Sequence, residues 1–357
     1  AKGVRYTHRI FDAQTRAIKD MYGIEAGEID LPCFPLFGLF TLAQGMTVII
    51  PDMDPTKPAQ ADPKLLLEAI RDHGCTNAFA SPSLWKNMVK WCVENNQRLP
   101  TLKRVLSAGA PIPPQLHQEF RKLLEPGVEV HTPYGATESL PVATIGSNLV
   151  LEETAEKTNQ GLGTCVGHLA PNMTVRIIEI RDESIATWSD SLVLPQGEIG
   201  EICVKGLVVT TEYKEEPEHT KNAKIKDGEN IWHRMGDVGY LDSQGRLWFC
   251  GRKAHRVECA DGTTLFPVPC EALFNVHPAV ERSALVGVNG QPVIVVEKVT
   301  STTTSEATLK TALLEIAAKH ALTRHIKRVL FHPSFPVDVR HNAKIDRPKL
   351  ALWAGDQ

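Results

Sequence analysis

Four groups of residues carry types and spacings that could do chemistry. Thr132-Pro133-Tyr134-Gly135-Ala136-Thr137-Glu138 sets an aromatic face, a hydroxyl and a carboxylate within five residues. A tyrosine ring can stack on a flat heterocycle, and Thr and Glu oxygens suit phosphate and Mg²⁺. The same residues can instead make a turn whose Thr and Glu cap a following helix. Both readings stand on this stretch alone. Asp237 follows Gly236 in an expected turn, where its oxygens could accept from a ribose diol or merely support the turn. Arg252 closes an expected strand and opens the polar run Lys253-Ala254-His255-Arg256; a lone Arg here can equally be half of a surface ion pair. Lys344 sits in Arg340-His341-Asn342-Ala343-Lys344-Ile345-Asp346-Arg347, where a lysine is a mobile point charge or simply solvated.

The elements that must position these groups alternate in the βα manner of a parallel sheet. Strands are expected at 46–50, 76–80, 104–108 and 128–130, and helices at 63–73, 83–93 and 113–124. Asp62 caps the first of these helices, Pro63 sits in its first turn and Gly74 ends it. Leu65, Leu66, Ala69 and Ile70 are its expected apolar face, and Leu116, Phe120 and Leu123 that of the third. Two successive strands then end in small-residue loops: 107–111, which contains Gly109, Ala110 and Pro111, and 132–138. Neighbouring strand ends put both on one rim, where α/β folds hold nucleotides.

After residue 150 short alternating strands, such as 173–180 and 199–204, predict a mainly antiparallel β subdomain. The glycines at 161–167 read as turns, since they lack a phosphate-loop pattern. From 253 onward a small α+β unit is expected, with a helix at 269–275, strands at 283–288, 293–297 and 326–331, and an amphipathic helix at 309–319. The division is therefore 1–252 and 253–357. Phe34-Pro35-Leu36-Phe37-Gly38-Leu39-Phe40 is core or the wall of an apolar pocket, with Phe34 and Phe37 as its aromatic lining.

Bulk properties set the class. The chain has 357 residues, 42% hydrophobic and 23% charged, with a net charge of −3. That describes a globular protein, and without a basic run it excludes nucleic acid and an anionic membrane as expected partners. No apolar run approaches the roughly 20 residues of a spanning helix. Eight scattered cysteines without a C-x-x-C pair argue against a zinc site and for reduced, buried thiols of a cytoplasmic protein.

Taken in order, these groups resemble the adenylate-forming superfamily of acyl-CoA synthetases, luciferases and peptide-synthetase adenylation domains, over essentially the whole chain. Ala1-Lys2-Gly3 looks like the tail of that family's Ser/Thr/Gly-rich phosphate loop, so the rest of that loop is expected upstream. Ser107-Ala108-Gly109-Ala110-Pro111 looks like its adenine-side loop. Tyr134-Gly135-Ala136-Thr137-Glu138 matches its signature. The resemblance implies that Tyr134 packs on adenine, Thr137 contacts phosphate and Glu138 holds Mg²⁺. It also implies that Asp237 binds ribose, that Arg252 lies near a hinge, and that Lys344 is the catalytic lysine of a mobile C-terminal domain. ATP and Mg²⁺ are the implied cofactors.

The chain is similar, more closely, to the β-lactone synthetases of bacterial long-chain olefin biosynthesis. That match rests on Phe34-Pro35-Leu36-Phe37, Pro51-Asp52-Met53-Asp54-Pro55, Arg234-Met235-Gly236-Asp237-Val238-Gly239-Tyr240, Phe249-Cys250-Gly251-Arg252-Lys253, and Phe335-Pro336-Val337-Asp338 with His341-Asn342-Ala343-Lys344. It implies conversion of a long-chain 2-alkyl-3-hydroxyalkanoic acid and ATP to a β-lactone, AMP and pyrophosphate, with other olefin-pathway enzymes as partners. Three positions depart from the superfamily: Ala254 at the hinge, 260–265 in place of a Gly-x-Arg segment bordering the pantetheine tunnel, and Ala343 before the lysine. Thioester formation on CoA, and a nucleotide-binding chain without catalysis, are the alternatives. His131 and His255 are conceivable bases, although structural roles suit both better.

Overall fold

The computed structural model describes residues 2–337 and 344–357. Asp338 and residues 340–343 of the expected C-terminal motif lie outside the described residues.

Helix α1 (His8–Tyr22) starts where the Thr7 hydroxyl accepts from the Ile10 N–H, and ends on Gly23 in the left-handed conformation. The parallel half of the sheet follows: β1 (Ile29–Pro32), β2 (Thr47–Val48), β3 (Asn77–Ala80), β4 (Arg104–Ser107) and β5 (Val130–Ala136). A short α2 (Gly38–Ala43) lies between β1 and β2, while α3 (Pro63–Asp72), α4 (Pro82–Glu94) and α5 (Pro114–Leu123) supply the crossovers. Asp62 accepts from the Lys64 N–H and Pro63 opens α3, as the sequence predicts. The face of that helix is shifted: Leu66, Leu67 and Ile70 are buried whereas Leu65 is exposed. Trp85, Phe120, Leu116 and Leu123 join them in one core beneath the sheet. The strand expected at 46–50 shrinks to two residues at the sheet's edge.

Beyond β5 the sheet turns antiparallel without a break. The strands β6 (Ser139–Gly146), β7 (Thr164–Leu169), β8 (Thr174–Ile178), β9 (Gly200–Lys205), β11 (Asn230–Leu241) and β12 (Leu247–Arg252) complete the order β2-β1-β3-β4-β5-β6-β7-β12-β11-β9-β8, with β10 (Lys224–Asp227) on β11. Short helices α6 (Ser147–Leu149), α7 (Ala155–Asn159) and α8 (Pro217–Ala223) lie in the connections.

After Arg252 a hairpin, β13 (Val257–Glu258) and β14 (Thr264–Leu265), leads to α9 (Pro267–Asn275) and a separate sheet of β15 (Val280–Val288), β16 (Gln291–Lys298) and β17 (Arg328–Phe331). Strand alternation sorts its side chains by face. Leu285, Ile294 and Val296 pack with α9 and α10 (Glu306–Lys319). Val286, Val293 and Val295 pack with α11 (Arg347–Gly355). The chain forms the expected α/β class with a smaller C-terminal sheet, and the parallel sheet and the expected β subdomain are joined in one large mixed sheet.

Candidate active site

The two expected loops do share a rim. β4 and β5 are parallel neighbours, with Leu106 opposite His131, so the β4–α5 connection and the end of β5 lie side by side. Gly109 turns that connection with φ +101°, a conformation that favours glycine. Gly109 and Pro111 are exposed, and Ala110 is half-buried.

The 132–138 stretch differs from both sequence readings. It is neither a loop nor a helix cap. β5 runs through Pro133 and Gly135 to Ala136, and the chain reverses at Thr137 and Glu138 into β6, pairing Tyr134 with Ala143 and Ala136 with Ser139. A register shift between Tyr134 and Ala136 lets proline and glycine sit in this strand. Gly135 is required by packing: a Cβ there would stand 2.9 Å from the Ser139 carbonyl oxygen and 3.0 Å from Leu140 Cβ.

Asp237 is also not in a turn. It lies within β11, directly across from Arg252 of β12. Gly236 has φ +67°, and the pairing with β9 slips between Arg234 and Val238. This bulge re-aims the side chain. The Tyr134 hydroxyl donates to Asp237 Oδ2 at 2.6 Å, and Arg252 Nη1 lies 3.0 Å from Oδ1. Burial is the largest effect on both acids. It raises the Asp237 carboxyl, opposed by Arg252 and by the Tyr134 bond. It raises the Tyr134 phenol further, aided by the negative Asp237. The proton therefore stays on Tyr134, and Asp237 remains an acceptor. Its Oδ1 is buried and, among the described residues, receives no aligned hydrogen bond. Ser107 Oγ and Thr132 Oγ1 are in the same position, at the ends of β4 and in β5. Buried acceptors and hydroxyls of this kind suit the hydroxyls and ring nitrogens of a nucleoside.

The Thr137 and Glu138 turn is clamped by residues that sequence reasoning missed. The Tyr6 hydroxyl donates to the Thr137 carbonyl at 2.6 Å. The Tyr213 hydroxyl donates to Glu138 Oε1 at 2.6 Å. Thr210 donates its N–H and its hydroxyl to the Glu138 carbonyl, at 2.9 and 3.1 Å. Lys224 donates to the Thr210 carbonyl at 2.5 Å and to its hydroxyl at 3.2 Å. Burial brings the Lys224 ammonium down to about 7 against the pull of Glu138. The N-terminal segment reaches this point by pairing with 212–214: Val4 bridges Tyr213, and Lys214 donates its N–H to Gly3. That places Lys2 Nζ 4.5 Å from the Tyr213 ring centre. These partners come from segments far apart in the chain, and no spacing near 132–138 signals them.

Phe34 and Phe37 directly follow the carboxyl end of β1. Phe37 stacks on Phe79 at 4.4 Å, with Phe34 at 5.6 Å. Phe34 is exposed and Phe37 half-buried, so this part of the stretch is a surface-facing aromatic cluster rather than core. Phe40, by contrast, is buried. An open cleft of about 280 Å³ lies elsewhere, bordered by Leu162, Tyr240, Leu265 and Leu322, and touches none of the expected site residues.

Lys344 is exposed, next to the bridge between Val337 and Ile345, and no contact among the described residues joins it to Glu138 or Asp237. His131 lies against Tyr22 at 5.2 Å and is pushed below the usual imidazole range by burial. Burial and the cations Arg347 and Arg252 hold His255 at about 4. Cys259, Asp261 and His325 converge to within 4.8 Å, but the turn and an Asp–His pair account for them. Asp261 accepts from the Thr263 N–H and lies 3.4 Å from His325 Nδ1.

Residues 1–214 match the AMP-binding enzyme family. The chain belongs to that family. The matched part contains the Tyr6 contact, the Gly109 connection, the 132–138 stretch and Tyr213. The chain is 47% identical over 366 residues to an olefin β-lactone synthetase of Xanthomonas campestris pv. campestris, covering 100% of this chain and 65% of that protein. It is 48% identical over 362 residues to the olefin β-lactone synthetase of Stenotrophomonas maltophilia, covering 99% of this chain and 64% of that protein. It thus spans just under two thirds of the length of these relatives. Among solved structures it is similar to the amide bond synthetase McbA from Marinactinospora thermotolerans, with a TM-score of 0.78 and 25% identity over 99% of this chain and 67% of that one.

Proposed function

We propose that the protein of which this chain forms a part is an ATP-dependent, AMP-forming β-lactone synthetase. Its substrate is a long-chain 2-alkyl-3-hydroxyalkanoic acid, and it works in the cytoplasm alongside other enzymes of olefin biosynthesis. The observation that carries this reading is the 47–48% identity to two olefin β-lactone synthetases along the length of the chain. The Tyr134, Asp237 and Arg252 cluster supports it by supplying a nucleoside site.

In this reading the connection through Gly109, Ala110 and Pro111 and the Tyr134 strand flank adenine. Asp237 Oδ1, which lies beside Arg252 but receives no aligned hydrogen bond, accepts from the ribose diol, and Arg252 keeps Asp237 charged. Thr137 orients the phosphates. The Glu138 carboxylate, half-buried and anchored by Tyr213, has the donor chemistry for Mg²⁺, which when bound neutralises phosphate charge. Lys344 belongs to the small unit 253–357, which we take as a separate domain. It reaches the site by rotation of that unit about the segment at Arg252. There its ammonium offsets charge between the carboxylate and the α-phosphate.

The substrate carboxylate attacks the α-phosphorus, and the bond to the bridging oxygen breaks to release pyrophosphate. The 3-hydroxyl of the same molecule then attacks the acyl carbon. A ring C–O bond forms, the acyl–phosphate C–O bond breaks, AMP leaves, and the hydroxyl proton passes to a base. The nucleophile is already tethered two carbons away, so approach costs little entropy. Phe34 and Phe37 hold the alkyl chains and keep water away.

The full-length protein, given ATP, Mg²⁺ and the hydroxy acid, should yield lactone and AMP without CoA by mass spectrometry. A thioester formed only with CoA, and no lactone, would overturn the reading.

A further inference from the structure

We infer that Lys224 is a positioning residue for the Glu138 carboxylate, acting through Thr210. The inference rests on the proposed role of Glu138 as the carboxylate that holds the divalent cation.

Lys224 and Thr210 are both buried. The hydrogen bonds of the ammonium go to the carbonyl and hydroxyl oxygens of Thr210, not to a carboxylate. Glu138 is the charged group that acts on it; His233, its cross-strand partner, feels both Lys224 and Lys2, and the Tyr213 ring is 5.9 Å away. Burying an ammonium against neutral oxygens is costly, so packing alone does not account for a lysine here.

What the lysine contributes is direction. By donating into a lone pair of the Thr210 hydroxyl, it leaves that hydroxyl's single proton for the Glu138 carbonyl. The Thr210 N–H meets the same carbonyl. Two donors therefore act in series from Lys224 through the Thr210 hydroxyl to the backbone of Glu138, the first bond polarising the second, and the Thr210 N–H acts in parallel with them. With its backbone fixed this way and its Oε1 held by Tyr213, the carboxylate is presented in one orientation.

Three variants of the full-length protein test this: Lys224→Met, which keeps length and removes the donor; Thr210→Val, which removes only the hydroxyl link; and Thr210→Ser, which restores it. Two readouts are used. The first is the Mg²⁺ concentration for half-maximal ATP–pyrophosphate exchange driven by the hydroxy acid. The second is hydrogen exchange at the Thr210 amide. Lys224→Met and Thr210→Val should each raise the Mg²⁺ requirement about tenfold, leave the rate at saturating Mg²⁺ nearly unchanged, and speed amide exchange. Thr210→Ser should behave as wild type, and the double variant should be no worse than the singles. If Lys224→Met does not fold, the Val and Ser pair decides. Wild-type Mg²⁺ dependence together with wild-type amide protection in Lys224→Met or Thr210→Val would overturn the inference. A wild-type protein without any exchange activity would instead sink the functional reading, while amide protection would still report on Lys224.

Discussion

Replacing Tyr134 with Phe removes one atom and isolates one bond. The hydroxyl donates to Asp237 Oδ2 at 2.6 Å, and Asp237 is only 4% exposed. The other contact of Asp237, Arg252, has a side chain 48% exposed, so solvent weakens its hold. Tyr134 adds to Arg252, the larger of the two influences, in keeping this buried carboxylate charged. Leaving such an acceptor unsatisfied costs about 2 kcal/mol, or roughly 30-fold in an equilibrium constant. The pH dependence has a definite sign. Asp237 is held above its ordinary value of 3.8, chiefly by burial. Between that ordinary value and its folded one the native state binds the extra proton, so this group removes stability as pH rises through the window. Losing the Tyr134 donor raises the carboxyl further and extends the window upward. Nucleotide binding needs the ionised acceptor, so its rising limb in Tyr134→Phe should move to higher pH. Calorimetric titration of ATP across pH, with urea unfolding alongside, measures both effects. Wild-type affinity and an unmoved pH limb in Tyr134→Phe would refute the argument.

Further outcomes follow from other contacts. Arg104 binds both oxygens of buried Glu28, at 2.8 and 3.0 Å. Burial alone would raise Glu28, but bonds from Arg104, Glu25 and Thr76 hold it below its usual range. Its contribution is therefore present above the ordinary carboxylate range and lost as pH falls through the folded value. Arg104→Met should cost about 3–5 kcal/mol in urea unfolding and raise the pH of acid unfolding. Phe37→Ala should raise KM for a long-chain acid about tenfold while leaving that for ATP unchanged; equal effects on both would argue against a chain-binding role. Lys344→Ala should lower hydroxy-acid-dependent pyrophosphate exchange at least about a hundredfold, with unchanged unfolding because the residue is exposed. Seven of the eight free cysteines are buried, so a thiol reagent should label Cys259 first and the rest only on unfolding.

Local signals in the sequence were legible where the physics is local. Asp62 and Pro63 start α3, and the βα alternation places the Gly109 connection beside the 132–138 stretch. The phase of α3 was missed by one residue because Leu65, Leu66 and Leu67 are alike and only packing separates them. Pro133 and Gly135 read as chain breakers, yet pairing with β6 and a register slip carry the strand through both. Asp237 read as a turn residue because Gly236 precedes it, whereas the glycine serves a bulge inside β11. The clamp on Glu138 was illegible. Thr210 and Tyr213 lie 72 and 75 residues from Glu138, and Tyr6 lies 131 from Thr137, so only the folded sheet brings them together. Lys344 was placed by resemblance to a motif, and its meeting with the site depends on a movement that local sequence does not encode.

In the proposed reaction the substrate carboxylate is activated by attack on the α-phosphorus of ATP. Full-length protein turned over with a 2-alkyl-3-hydroxy acid carrying ¹⁸O in its carboxylate tests this directly, with the label followed by mass spectrometry. One labelled oxygen should appear in the phosphate of AMP and the other in the lactone carbonyl. Unlabelled AMP, or label only in inorganic phosphate or pyrophosphate, would contradict it.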